Sequence, residues 1–478
     1  MKYETVIGLE IHVQLNTRSK LFCSDPVLFG APPNTQVSPV SLAHPGTLPY
    51  LNRTAVEYAV RLGLALGSTI DRASRFDRKN YFYPDLPKGY QITQDRRPIC
   101  VGGQVLIGSR TIRIHHIHLE EDAGKSIHDQ HPIESWIDLN RAGVPLLEIV
   151  TEPDLRSAEE TALFMEEIRR LVRWIGISDG NMEEGSLRCD VNISLRPEGS
   201  STYGERCELK NMNSMRFAKK AIQFEQDRQL QLLKKGETIP RQTRGFDPES
   251  GQTYAQRDKE EAHDYRYFPE PDLPPVLISE EWFRQIQTSL PILPRNYQTH
   301  FEEDLGMTPQ EAQLLCQERR TAEWVKQAST QLPAPLFKWF TQLIIQKILP
   351  WCAENGQSPE TLPVPLSSWR QVLELIQSEQ ISASAAYQKL VPAVLANPQR
   401  SPEELAEQLE LLHEADEAWL ATIIDEVLQR FPDKVKEYQK GKKNLIGLFM
   451  GEIMRISKGK AEPKSTQQLL QKKLLQEK

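Results

Sequence analysis

The chain has 478 residues, 39% of them hydrophobic and 26% charged, with a formal net charge of −7. That balance is ordinary for a globular protein and argues against wholesale disorder and against a general nucleic-acid coat, while leaving room for a local basic patch. No apolar run approaches the roughly 20 residues that a membrane helix needs, and at about 100–200 residues per domain the length predicts two to four domains.

The N-terminus runs directly into a strand pattern without a signal-peptide core, so a cytoplasmic chain, or an organellar one after processing, is expected. Over Thr5–Leu15, Ile7, Leu9, Ile11, Val13 and Leu15 point one way and Glu10, His12 and Gln14 the other. Arg53–Leu66 reads as an amphipathic helix. Ser157–Trp174 reads as a second, with Ser157 as its cap and Glu159 and Glu160 in the first turn. Alternation returns at Arg188–Arg196, where Cys189, Val191, Ile193 and Leu195 oppose Arg188, Asp190, Asn192, Ser194 and Arg196. In Arg206–Lys210, Arg206, Glu208 and Lys210 oppose Cys207 and Leu209. These strands predict a largely antiparallel sheet with one face on a core and the other open.

The proline-rich stretch Phe268–Pro275 is expected to close this first domain, over residues 1–290. From about Pro291 helical spacing takes over, with helices predicted at Thr308–Glu318, Pro335–Ile348, Trp369–Glu379 and Pro402–Leu412. The expected organisation is therefore α+β: an antiparallel-sheet domain, an all-α domain over 291–398, and a small helical tail domain over 399–478. No internal repeat is apparent. Charge reverses near the end. Ser401–Lys440 carries eleven acidic and four basic residues, whereas Gly441–Lys478 carries nine basic and three acidic. Such a reversal marks either an interaction surface or a solvated helix face.

Glu10 and His12 are two apart on one strand and so share a sheet face, where a carboxylate and an imidazole can ligate a divalent cation or move a proton. Asp190 and Glu208 sit on the polar faces of other strands. Several carboxylates converging on one face require a neutralising cation. Ile114–Ser126 adds three histidines and three carboxylates within eight residues, a donor mix that suits Mg²⁺ or Mn²⁺ at least as well as zinc. Alternation is lost near Glu120–Asp122, so either Glu120 or Glu121 faces that side. Gly124-Lys125-Ser126 is not a phosphate loop, because Leu119 stands where the first glycine belongs. Phe76–Gln91 interleaves Arg78, Lys79 and Lys88 with Tyr81, Phe82, Tyr83 and Tyr90, a composition that fits a phosphate-bearing ligand or the end of a nucleic acid. There is no GxSxG elbow, no GxGxxG after a strand, no HExxH and no amidase-type Gly/Ser signature. The six cysteines form no CxxC pair.

Eight strings occur in one order: Thr5–Leu15, His44–Pro49, Phe76–Asp85, Glu120–Ser126, Asp138–Val150, Glu184–Asn192, Glu208–Asn211 and Asp264–Pro271. With Ile381–Ala386 and Gly447–Ala461 they closely resemble the B-subunit family of the aspartyl/glutamyl-tRNA amidotransferases over essentially the whole chain. The resemblance implies a cradle-like catalytic domain followed by helical and tail domains. It implies a ligase that uses ATP and Mg²⁺ to phosphorylate the side-chain carboxylate of Glu-tRNA(Gln) and/or Asp-tRNA(Asn), and then amidates it. Ammonia would come from an amidase partner, the A subunit, and a small C subunit would complete a heterotrimer. By motif, Glu10, His12, Glu121 and Glu148 would bind Mg²⁺, and Asp190 and Glu208 would lie close to the metal and the reacting groups. Lys79 and Arg188 would contact phosphate or the acceptor end of the tRNA. Lys442, Lys443, Arg455, Lys458, Lys460 and Lys464 would touch the tRNA body. Some relatives carry paired cysteines near the start of the first domain. Here Cys23 stands alone and Ala43-His44 lies where another pair would be, so no structural zinc is expected. The absence of room for a large inserted domain favours the bacterial or organellar type.

Overall fold

The computed structural model describes residues 2–128, 130–210, 212, 214–258, 264–413, 417–457 and 459–476. The chain falls into two compact units, Met1–Asn296 and Tyr297–Lys478.

The first unit is built on a ten-stranded sheet. Its principal strands are β1 (Tyr3–Gln14), β4 (Arg110–Glu121), β5 (Pro145–Thr151), β6 (Leu187–Pro197), β7 (Cys207–Lys210), β8 (Gln242–Asp247) and β9 (Gln252–Asp258). Between β1 and β4, β2 (Asp77–Asn80) and β3 (Tyr90–Thr93) form a separate small sheet with Phe268–Pro269. The large sheet runs β9-β8-β7-β6-β1-β5-β4 and then Cys100–Val101 and Thr69–Ile70. Every pairing among its principal strands is antiparallel except β7–β8. That pair needs a crossover, and the helix α3 (Met215–Lys235) provides it.

Two further helices fall where periodicity predicts them. In α1 (Arg53–Leu66), the Asn52 side chain accepts from the Thr54 and Ala55 amides. In α2 (Ala158–Trp174), Ser157 accepts from the Glu160 amide, and Glu159 and Glu160 meet the positive helix end. Helix α3 starts at Ser214, which accepts from the Phe217 amide, and stops at Gly236 with φ +75°, a left-handed conformation that suits glycine.

Helices α2 and α3 pack together, α3 lies on β6, and α1 lies on β4. The odd-numbered residues Ile7, Leu9, Ile11, Val13, Leu147, Ile149, Cys189, Val191 and Ile193 are all buried. The alternation thus sends one face of the sheet into the core and leaves the even-numbered, polar face for other work. Phe268–Pro269 pairs with β2 and Val276–Leu277 with Ala73–Ser74, so the proline-rich segment is stitched into this unit by strand pairing.

The second unit is helical throughout its described elements, and residues 297–398 and 399–478 fall in it together. Helix Pro309–Leu315 begins with a Thr308–Glu311 capping box, and Arg319–Gln331 follows as a helix that periodicity did not mark. A five-residue pattern recurs, far shorter than a structural repeat unit. Gln346-Lys-Ile-Leu-Pro350 and Gln388-Lys-Leu-Val-Pro392 each contain the end of a π-helical segment, Ile344–Ile348 and Ala386–Leu390, just ahead of the proline. A mid-helix proline lacks an N–H and crowds the carbonyl four residues back, and one wide turn relieves both. Near the C-terminus Leu420, Ile424, Val427, Phe449, Ile453, Leu470 and Leu474 form a local core. Among the described residues no helix is long and apolar enough to cross a membrane.

Candidate active site

Register assembles the polar face. Directly opposed residues of an antiparallel pair share a face. His12 is opposed by Glu148 on β5 and by Arg188 on β6. Glu148 is opposed in turn by His118 on β4. Glu10 is opposed by Asp190, and Asn192 by Glu208 on β7. Residues from five strands, widely separated along the chain, therefore meet on one surface.

Two groups form there. In the first, His12, Glu120 and Glu148 bring one ligand atom each to within 4.8 Å of the others. His12 Nε2 lies 3.2 Å from Glu148 Oε2. His118 Nε2 reaches both Glu120 Oε2, at 3.3 Å, and Glu148 Oε2, at 3.4 Å. Thr93 Oγ1 donates to Glu120 Oε2 at 2.9 Å. In the second, Glu10, Asp190 and Glu208 meet the same 4.8 Å condition. Lys210 Nζ lies 3.0 Å from Asp190 Oδ2 and 3.1 Å from Glu208 Oε1. Asn192 Nδ2 donates to Glu10 Oε1 at 3.0 Å, and Thr243 Oγ1 to Glu208 Oε2 at 3.0 Å.

The electrostatics follow from this crowding. Burial opposes the charged form of His118, but Glu148 and Glu120 outweigh it and raise its pKa to about 10. Burial likewise works against the Glu148 carboxylate, yet His118 and His12 hold it well below the usual carboxylate range. Glu120 is also held low against burial, by His118 and, more weakly, by Lys79. Glu10 is the exception. Burial and then the charge of Glu148 raise its pKa, and the Asn192 hydrogen bond only partly compensates. Lys210 is held above its ordinary value by Asp190 and Glu208 despite burial.

The family follows from comparison with known proteins. A family model described as the GatB/GatE catalytic domain matches residues 5–284, and one described as the GatB domain matches residues 326–474. The B subunit of an aspartyl/glutamyl-tRNA(Asn/Gln) amidotransferase from Thermodesulfovibrio yellowstonii is 44% identical over 98% of this chain and 99% of its own length. Its counterpart from Geotalea uraniireducens is 45% identical over 99% of this chain and its whole length. The chain belongs to the B-subunit family of the aspartyl/glutamyl-tRNA(Asn/Gln) amidotransferases.

Within this B-subunit chain, one expected placement is corrected. Glu121 does not join His12 and Glu148; Glu120 does. Alternation continues through the end of β4, so the even-numbered Glu120 shares the polar face and Glu121 turns to the other side. There Glu121 pairs with Lys88 and accepts from the Ile92 amide at 2.9 Å. It lines a cavity of about 230 Å³ together with Lys20, Phe22, Cys23 and Tyr90.

The other expected residues are distributed as follows. Arg188 lies on the polar face but points its guanidinium at Asp122, 2.6 Å away, which also accepts from Gln14 Nε2 at 2.7 Å. Lys79, on β2, sits 4.9 Å from the Tyr265 ring and 5.9 Å from that of Tyr81. In the C-terminal unit the cations pair locally: Lys442 with Glu437, Arg455 with Glu452, Lys460 with Glu410 and Lys464 with Glu379. Lys443 lies over the Tyr438 ring. Lys458 is outside the described residues.

Sequence reading assigned His118, Lys210 and Asn192 no part beside the two groups, although the alternation of β7 already put Lys210 on the face of Glu208. The alternation of β6 does place Asn192 beside Asp190, whereas the pairing of β4 with β5 had no signal in the sequence. A second cavity, of about 240 Å³, opens on the same face beside Glu10, lined by Val6, Gly8, Val150, Asn192, Ser194 and Tyr203.

Proposed function

We propose that this chain is the ATP-dependent half of a cytoplasmic heterotrimeric ligase that converts Glu-tRNA(Gln) and/or Asp-tRNA(Asn) to the amidated form. A side-chain carboxylate is a poor acyl donor because its charge repels nucleophiles and it lacks a leaving group. In the proposed first step, the carboxylate oxygen of the tRNA-bound amino acid attacks the γ-phosphorus of ATP. The bond to the β,γ-bridging oxygen breaks and ADP leaves. In the second, ammonia attacks the carbon of the acyl phosphate, the carbon–oxygen bond to phosphate breaks, inorganic phosphate leaves, and the nitrogen releases a proton. The amidase partner would supply the ammonia, and the small third chain would complete the assembly.

The observation that carries this reading is the pair of three-donor groups on one sheet face. Five of the six donors are carboxylates, the hard oxygen ligands that suit Mg²⁺, and the sixth is one imidazole. His118 and Lys210, drawn in among them, show that the face demands positive charge. His12, Glu120 and Glu148 would hold one ion, and Glu10, Asp190 and Glu208 another. Bound there, Mg²⁺ would neutralise the polyphosphate and the carboxylate as they approach each other. Lys79 and Arg188 flank the first group and would meet phosphate or the acceptor end. The cavity beside Glu10 is lined by Val6, Val150 and Tyr203 together with Asn192, Ser194 and Arg206, a mix of apolar and polar groups that suits a nucleoside.

The decisive experiment uses Glu-tRNA(Gln) carrying ¹⁸O in the side-chain carboxylate. Each amide formed should deliver one labelled oxygen to inorganic phosphate, and only in the presence of ATP. Amide formation without label in phosphate would remove the acyl phosphate. Equal tRNA-stimulated ATP hydrolysis by wild type and Glu10→Ala would remove the site assignment.

A further inference from the structure

Lys210 is the last residue of β7, and it shares the polar face with Glu208 two positions earlier. Its ammonium bridges Asp190 and Glu208, two of the three carboxylates of the second group. Three carboxylates this close repel one another strongly unless a cation stands between them. Lys210 meets that need for two of the three. Glu10 is left with the Asn192 amide.

A divalent ion held by Glu10, Asp190 and Glu208 would compete with Lys210 for the Asp190 and Glu208 carboxylates. Two cations drawn to the same pair of carboxylates repel each other at close range, so the ammonium is driven off. It is able to: the lysine stem is flexible, carries a compact charge, and is about one-third exposed. The anion that arrives with magnesium on this reading is the ATP polyphosphate. We propose that Lys210 is an exchangeable cation, neutralising Asp190 and Glu208 until the metal enters and then turning its ammonium to the phosphates. This rests on the reading that metal and ATP meet on this face. The exchange keeps the carboxylates paired before the metal enters and gives the nucleotide one more cation afterwards. It also lowers metal affinity when no nucleotide is present, because the metal must first displace an internal competitor.

The test uses the full-length chain in the complex in which it is purified, with Mn²⁺ as the probe. In wild type, acylation of Lys210 by an amine-reactive ester, followed by mass spectrometry, should speed up several-fold on adding Mn²⁺, as the ammonium leaves its two carboxylates. This arm needs no variant. In Lys210→Met, Mn²⁺ binding without nucleotide, followed by the loss of the free-ion electron paramagnetic resonance signal, should tighten about tenfold because the competing charge is gone. The KM for ATP should rise by about tenfold to a hundredfold, the worth of a charged hydrogen bond. A brace role predicts the reverse, with weaker Mn²⁺ binding as the pair of strands loosens. Unchanged labelling of Lys210 with Mn²⁺ bound, or weaker Mn²⁺ binding by Lys210→Met, overturns the exchange but leaves the metal site standing. No Mn²⁺ binding by wild type overturns the metal reading and the exchange with it.

Discussion

His118 stands directly across from Glu148 in the β4–β5 register, and its Nε2 touches carboxylate oxygens of both Glu148 and Glu120. One imidazolium therefore spans a buried acid, Glu120, and a half-buried one, Glu148. Removing one partner of a buried ion pair leaves an uncompensated charge, which costs more than the pair itself contributes.

His118→Ala is expected to destabilise the metal-free chain by about 3 kcal/mol in chemical denaturation near neutral pH. The folded-state pKa of about 10 lies above the ordinary histidine value of 6.5. The stabilisation is then complete below about pH 6.5 and is lost as pH rises through about 10. The gap between wild type and variant should close over that range. Added Mg²⁺ should narrow it at any pH, because the ion replaces the missing charge. A gap that widens at high pH would contradict the assignment.

Glu120 and Glu121 are adjacent in sequence but lie on opposite sides of β4, so their isosteric variants should differ in kind. Glu120→Gln should weaken Mn²⁺ binding at least about tenfold, as loss of a metal-site group does. Glu121→Gln should leave Mn²⁺ affinity unchanged and instead destabilise the chain, because Lys88 loses its partner. Metal titration and thermal unfolding of the two variants, side by side, check this. Equal metal affinities would return both residues to undecided positions.

The contrast between these two glutamates shows what the sequence makes legible. The clean alternation of β1 and β6 placed Glu10, His12, Arg188 and Asp190 on one face from pattern alone. Helices α1 and α2 were equally clear, because each carries an unbroken apolar stripe. Helix α3 escaped notice because its inward face is interrupted: Ala218, Ala221 and Ile222 are buried, but so, fully, are Glu225 and Gln229. Arg228 and Arg244 pair with the Glu225 carboxylate, which also accepts from Gln229 and Thr253. Arg244 comes from a strand that no local window connects to the helix. The role of His118 was hidden for the same reason, since it depends on β4 neighbouring β5, whereas alternation already put Lys210 on the face of Glu208 and only its reach to Asp190 depends on β7 neighbouring β6.

Glu225 gives a second pH dependence, of opposite sign. Burial disfavours its carboxylate, but Arg228, Gln229 and Arg244 more than offset that and hold its pKa below the ordinary 4.5. Its contribution is then present above about pH 4.5 and is lost as pH falls through the folded-state value. Glu225→Gln should cost about 3 kcal/mol at neutral pH, with the difference from wild type shrinking below about pH 4.5. Denaturation curves at neutral and acid pH decide this. A constant difference would mean that Glu225 acts by shape alone.

Gly204 abuts β6 so closely that a Cβ there would lie 2.0 Å from the Leu195 carbonyl oxygen. No side-chain rotation relieves a clash with backbone, so the Tyr203–Gly204 segment must shift. Gly204→Ala should destabilise the chain by about 1–3 kcal/mol, typical of overpacking. The neighbouring Tyr203 lines the cavity beside Glu10, so the same variant should raise the KM for ATP while leaving Mn²⁺ affinity near wild type. An unchanged KM would place the nucleoside elsewhere.

The C-terminal cations supply a final prediction, and their local pairing limits its size. Arg455 and Lys464 are mostly exposed, but each already has an acidic neighbour, Glu452 and Glu379. Exposed pairs of this kind are worth at most about 1 kcal/mol, so tRNA phosphates can outcompete them. If both side chains contact phosphate, each releases a counterion on binding. The slope of log Kd for tRNA against log salt should then fall by roughly 0.9 for each charge removed. Arg455→Glu and Lys464→Glu should each weaken tRNA binding, most strongly at low salt, with tRNA-independent metal binding unaffected. Slopes equal to wild type in both variants would mean that the basic end of this chain is a solvated helix face that does not touch the tRNA body.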